Sequence, residues 1–134
     1  ANEYKYSMFK SSQDTRLLPE LWVDIDQFSY QTLQVLPNSG LSEESTIRLI
    51  EQAANIPMLT SQALLLLANN YANNEHTHKI MLKFLQQPSH QWSAAIVASK
   101  INNAKFQSSL NELAATAPNK AIAYTLKQTN ALQE

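Results

Sequence analysis

Ala63-Leu64-Leu65-Leu66-Leu67-Ala68 is the longest apolar run in this chain, and it holds no charge and no β-branched residue. Six apolar residues cannot cross a bilayer, which needs about 20. Leu and Ala are strong helix formers. A helix turning every ~3.6 residues through this run would be apolar around nearly its whole circumference, and such a helix is buried on more than one side. Residues 60–73 therefore read as a central helix with other elements packed around it.

The composition agrees with a helical globular domain. The chain has 134 residues, 44% hydrophobic and 16% charged, enough for one domain with a single core and unlike a disordered polypeptide. A net charge of −1 leaves no basic footprint for a phosphate backbone and no polybasic patch for anionic lipid, so nucleic acid is not an expected partner. With no cysteine, disulfides, thiolate metal sites and a cysteine nucleophile are excluded, while cytoplasmic and periplasmic locations both stay open. No transmembrane or signal segment is expected, and a start at Ala1 without Met suggests a processed or excised chain. Gly40 is the single glycine, which disfavours tight β-hairpins and glycine-rich phosphate loops. The twelve Asn and twelve Gln read as uncharged surface and turn positions.

Working outward, residues 1–18 read as an N-terminal arm or loop, because Tyr4, Tyr6 and Met8 alternate with Lys5 and Ser7. Pro19 and Glu20 suit a first helical turn. Leu21, Ile25, Phe28 and Thr32 follow at helical spacing and favour one helix, although Leu21, Val23 and Ile25 also alternate with Trp22, Asp24 and Asp26 as a strand would; the turn Pro37-Asn38-Ser39-Gly40 ends the element under either reading. Ser42 is a candidate N-cap with Glu43 and Glu44 in the first turn, ahead of the apolar face Ile47, Leu49, Ile50, Ala53 and Ala54. Asn74 caps a helix with the face Ile80, Met81, Phe84 and Leu85. Further helices are predicted through Trp92, Ala95, Ile96 and Ser99 to an end near Asn102-Asn103, through Phe106, Leu110, Leu113 and Ala114, and, after the turn Pro118-Asn119, through Ile122 and Leu126.

Pro57, Pro88 and Pro118 stand 31 and 30 residues apart. Eight positions before them are Leu49, Ile80 and Leu110; four before, Ala53, Phe84 and Ala114; three before, Ala54, Leu85 and Ala115; eight after, Leu65, Ile96 and Leu126. A period near 30 residues signals stacked helix pairs, none of which can bury its apolar face alone. With this period and these columns the chain resembles the short, ~30-residue HEAT-like repeats of the α-solenoid class. The turns Ile56-Pro57-Met58, Gln87-Pro88-Ser89 and Ala117-Pro118-Asn119 lack the Asp usual there, and the second helices lack the usual Arg. The resemblance implies an all-α fold: an α-α superhelix, or short right-handed solenoid, of about three helix pairs. A helical repeat domain would span 19–134, with repeats at about 41–73, 74–103 and 104–134.

No residue set spells out a reaction. His76 and His78, two positions apart on a helix, point roughly 200° from each other and cannot share one ion. With His90 they read as surface histidines near helix starts, and no metal or cofactor is predicted. Glu20, Asp24 and Asp26, and likewise Glu43 and Glu44, sit where helix dipoles favour acids. A Gly-x-Ser-x-Gly elbow is impossible with one glycine. The aromatics Trp22, Tyr71, Trp92 and Tyr124 are the candidate binding residues, since such side chains anchor interfaces when they are not in the core. The predicted function is a non-enzymatic module binding a protein or peptide. The alternatives are an enzyme, or accessory domain of one, using the histidines with nearby acids, and a helical carrier of a small ligand or lipid.

Overall fold

Eight α-helices and two 3-10 turns make up the computed structural model, which describes residues 1–134, and the chain contains no strand. The helices are α1 (Asn2–Ser12), α2 (Gln27–Val35), α3 (Glu43–Ala54), α4 (Thr60–Asn70), α5 (Glu75–Leu85), α6 (Gln91–Ala98), α7 (Ala104–Thr116) and α8 (Lys120–Leu132). The fold is all-α, as the leucine run and the lone glycine predict. No helix is long and apolar enough to cross a membrane.

The apolar run forms the middle of α4. Ala63, Leu64, Leu66, Leu67 and Ala68 are all buried, and only Leu65 reaches solvent, at 36% exposure. At about 100° per residue these five positions cover most of the helix circumference. The packing divides the chain within this helix into two compact units, Ala1–Leu66 and Leu67–Glu134.

The first unit departs from the sequence reading at its start. Residues 2–12 are an α-helix, where an arm with alternating aromatics was the expectation. The face that packs is Asn2, Lys5, Tyr6 and Phe9, a helical spacing, with Asn2 and Phe9 buried. The Asn2 side-chain amide donates to the Asp24 carbonyl at 2.6 Å and ties α1 down. Helix α1 packs on the 3-10 turn Leu18–Trp22 and on α2.

The single helix predicted from Pro19 is also broken. After the 3-10 turn the chain unwinds through Val23–Ile25 and restarts at Asp26. There the Asp26 carboxylate accepts from the Phe28 and Ser29 amides at 2.9 and 3.3 Å, while the Ser29 hydroxyl accepts from the Asp26 amide at 3.1 Å. This reciprocal cap satisfies orphan donors at a fresh helix start and favours a break over continuation. The Ser29 hydroxyl also donates to the Leu21 carbonyl at 2.7 Å. Gly40 then closes the turn with φ +84, a left-handed conformation that suits glycine. Ser42 caps α3 through the Ser45 amide at 3.1 Å, as predicted.

The second unit holds helices α5 to α8. Helices α5 and α7 lie against each other, as do α6 and α8, and each of the pairs α5–α6 and α7–α8 is also packed together. Side chains 30 positions apart meet: the Asn103 amide donates to Asn73 Oδ1 at 3.1 Å, and Lys105 Nζ donates to Glu75 Oε1 at 3.0 Å. The Asn119 carboxamide works at both its ends. Its Oδ1 accepts from the Ile122 amide at 2.7 Å, capping α8, and its Nδ2 donates to the Leu85 carbonyl at 2.9 Å at the end of α5. The predicted caps Asn74 and Ser42 and the buried face Ile80, Met81, Phe84 and Leu85 all hold.

Candidate functional site

Helix α6 is built with its small side chains inside and its large ones outside. Ala94, Ala95, Val97 and Ala98 are buried, whereas Trp92 is 46% and Ile96 58% exposed. The alanines let neighbouring helices approach closely, leaving the bulky residues no room but the solvent side. Trp92 and Ile96, four positions apart, share one face of α6, and the exposed Lys100 follows in the turn just past its end.

Helix α8 extends the surface. Tyr124, 41% exposed, meets Trp92 edge to face, with ring centroids 5.8 Å apart and planes at 61°. That geometry is a favourable aromatic pairing. Lys120 stands one turn before Tyr124 and Lys127 one turn after it, both exposed. No carboxylate occurs within α6 or α8, so Lys120 and Lys127 are the only charged side chains on the two helices that carry Trp92, Ile96 and Tyr124, and Glu134, two residues past α8, shares a groove with Lys127.

The other two candidate aromatics do not join this surface. Trp22 is only 5% exposed and lies in the core of the first unit, where its indole N–H has no hydrogen-bond partner. Tyr71 is half-buried in the turn after α4. Ile96 and the lysines were not singled out from sequence as site residues. Ile96 belongs to an apolar column, the eighth position after each proline, that reads as core yet is largely solvent-facing at Ile96.

The histidines correct one expectation. His78 is buried, at 5% exposure, with Nε2 2.7 Å from the Ala72 carbonyl and its ring 5.1 Å from that of Phe106. A carbonyl oxygen can only accept, so Nε2 carries a proton and His78 is a packing residue between α5 and α7. His90 packs edge-on against Phe84 at 5.9 Å. No three His, Asp or Glu side chains converge as a metal centre requires.

Electrostatic shifts are confined to exposed pairs. Hydrogen bonding to Lys105, followed by its charge, holds the Glu75 carboxyl below its usual 4.5. Hydrogen bonds from Arg16 lower Asp14 to about 2.

Two open grooves also mark the surface. One of ≈ 610 Å³ runs along the outer side of α7–α8 past Ala114, Pro118, Ile122 and Leu126. Another of ≈ 470 Å³ lies beside Phe9, Gln13, Gln34 and Asn38 in the first unit. No family model matches this chain, and comparisons with curated proteins and with solved structures give no significant match.

Proposed function

We propose that the chain is a non-enzymatic interaction module, a short stack of HEAT-like helix pairs that holds a protein or peptide on the α6–α8 face. The observation that carries this reading is the inverted α6, which turns Trp92 and Ile96 to solvent while alanines fill its core side. Burying a side chain such as Ile fully is worth about 1.5–3 kcal/mol, so leaving it outside forgoes stabilisation that a partner would recover. Aromatic anchors next to aliphatic ones are the usual energetic centres of interfaces. The packing of α5 with α7 and α6 with α8, and the side-chain bonds between residues 30 apart, support the repeat reading.

Affinity capture from the native cell extract tests the proposal with three baits. The wild-type chain and a Val23→Ser control, altered at an exposed apolar residue of the other unit, should retain the same polypeptide. A Trp92→Ser/Ile96→Ser double variant should lose it. Identical sets on all three baits would remove the α6–α8 face from consideration.

A further inference from the structure

We infer that the segment docking on the α6–α8 face is an acidic polypeptide, with apolar anchors set among carboxylates. The inference rests on the interaction-module reading and adds the chemistry of the partner. Lys100 lies in the turn just past the α6 end, two residues after Ala98, and Lys120 and Lys127 bracket Tyr124 by one turn on either side. Each is exposed, and neither helix contains an Asp or Glu within its bounds. The imbalance extends over the whole second unit, where Lys79, Lys83, Lys100, Lys105, Lys120 and Lys127 outnumber Glu75, Glu112 and Glu134. One of those glutamates, Glu75, is already engaged by Lys105 at 3.0 Å.

A basic rim around an apolar centre selects its complement. Carboxylates on the partner would steer encounter and fix orientation, while burial of Trp92, Ile96 and Tyr124 would supply the hold. A single-stranded nucleic acid fits less well. Stacking platforms present ring faces to successive bases, whereas Trp92 and Tyr124 meet at 61° with the aliphatic Ile96 beside them.

The test is selection from a displayed library of random peptides about twelve residues long, enough to span the ~12 Å length of α6. Wild-type protein should enrich sequences in which Asp and Glu surround Leu, Ile or Phe. A synthetic peptide of that consensus should bind a Lys100→Glu/Lys127→Glu variant about tenfold more weakly, and should weaken as salt rises, because exposed charge pairs are screened. Binding should vanish for Trp92→Ser/Ile96→Ser. A neutral or basic pool that still requires Trp92 and Ile96 would overturn the acidic partner and leave the interaction module standing. A pool unchanged by the Trp92→Ser/Ile96→Ser substitutions would sink both. The same protein is titrated with oligothymidylate and with phosphatidylglycerol vesicles, and tighter binding to either one also overturns the inference. Circular dichroism of each variant confirms that these surface changes leave the helices intact.

Discussion

Trp92 and Phe106 are both large aromatics on helices of the second unit, yet they have opposite energetic roles. Phe106 is fully buried against the His78 ring, and Trp92 is nearly half exposed. Truncating Phe106 to Ala should cost about 3–5 kcal/mol through lost burial and a residual cavity. Trp92→Ala should cost less than Phe106→Ala, since nearly half of Trp92 is already in solvent and its loss is partial burial plus the Tyr124 ring contact. Urea denaturation separates the two, and equal losses would place Trp92 in the core after all. A second residue-scale prediction concerns Glu75. Lys105 lowers its pKa, so the ion pair's contribution is present above the ordinary value of 4.5 and fades as pH falls through the lowered one. Lys105→Ala should return the Glu75 titration toward 4.5, read by carbon-detected NMR of the carboxyl. Because both groups are exposed, the change in stability should be small.

The element scale shows what was legible in the sequence. Helices α3 to α8 were readable because each combines an apolar face of period 3.6 with a punctuation mark: Ser42, Asn74, or the turns at Pro57, Pro88 and Pro118. Helix α1 was hidden because its inward face includes Asn2 and Lys5, polar residues that a hydrophobic pattern does not count. The break before α2 depended on the pairing of Asp26 with Ser29, a cap in which Ser replaces the usual Glu or Gln. The candidate surface was half legible. Trp92 and Tyr124 stood out as aromatics, but nothing in a list of apolar columns distinguishes Ile96 facing solvent from Ile80 facing the core. The distinction arises from the alanines around Ile96, which only packing interprets. Caps give the element-scale prediction. Asn119→Asp keeps the oxygen that caps α8 and loses the donor to the Leu85 carbonyl, whereas Asn119→Ala loses both. Thermal unfolding should rank wild type above Asn119→Asp above Asn119→Ala, with about 1–2 kcal/mol between the extremes. Equal stability of Asp and Ala variants would mean that the cap contributes nothing.

At the scale of the whole molecule, one helix has its backbone in both compact units. Helix α4 begins in the first unit and ends in the second, with Leu64 on one side of the division and Leu67 on the other, both fully buried. An eleven-residue helix is marginal on its own, because nucleation is costly and few hydrogen bonds repay it. Loss of one half's packing therefore weakens the other half through the shared backbone, and the two units should unfold together. The chain supplies its own reporters, since Trp22 lies in the first unit and Trp92 in the second. In the single-tryptophan variants Trp92→Phe and Trp22→Phe, fluorescence should give coincident denaturation midpoints, as a two-state transition requires. Adding Leu64→Ala, which should cost about 2–5 kcal/mol, should move both midpoints equally even though the cavity forms in the first unit. Were Leu64→Ala to shift only the transition seen by Trp22, α4 would be a linker between independent folding units, and the helix pairs after it would be stable without those before.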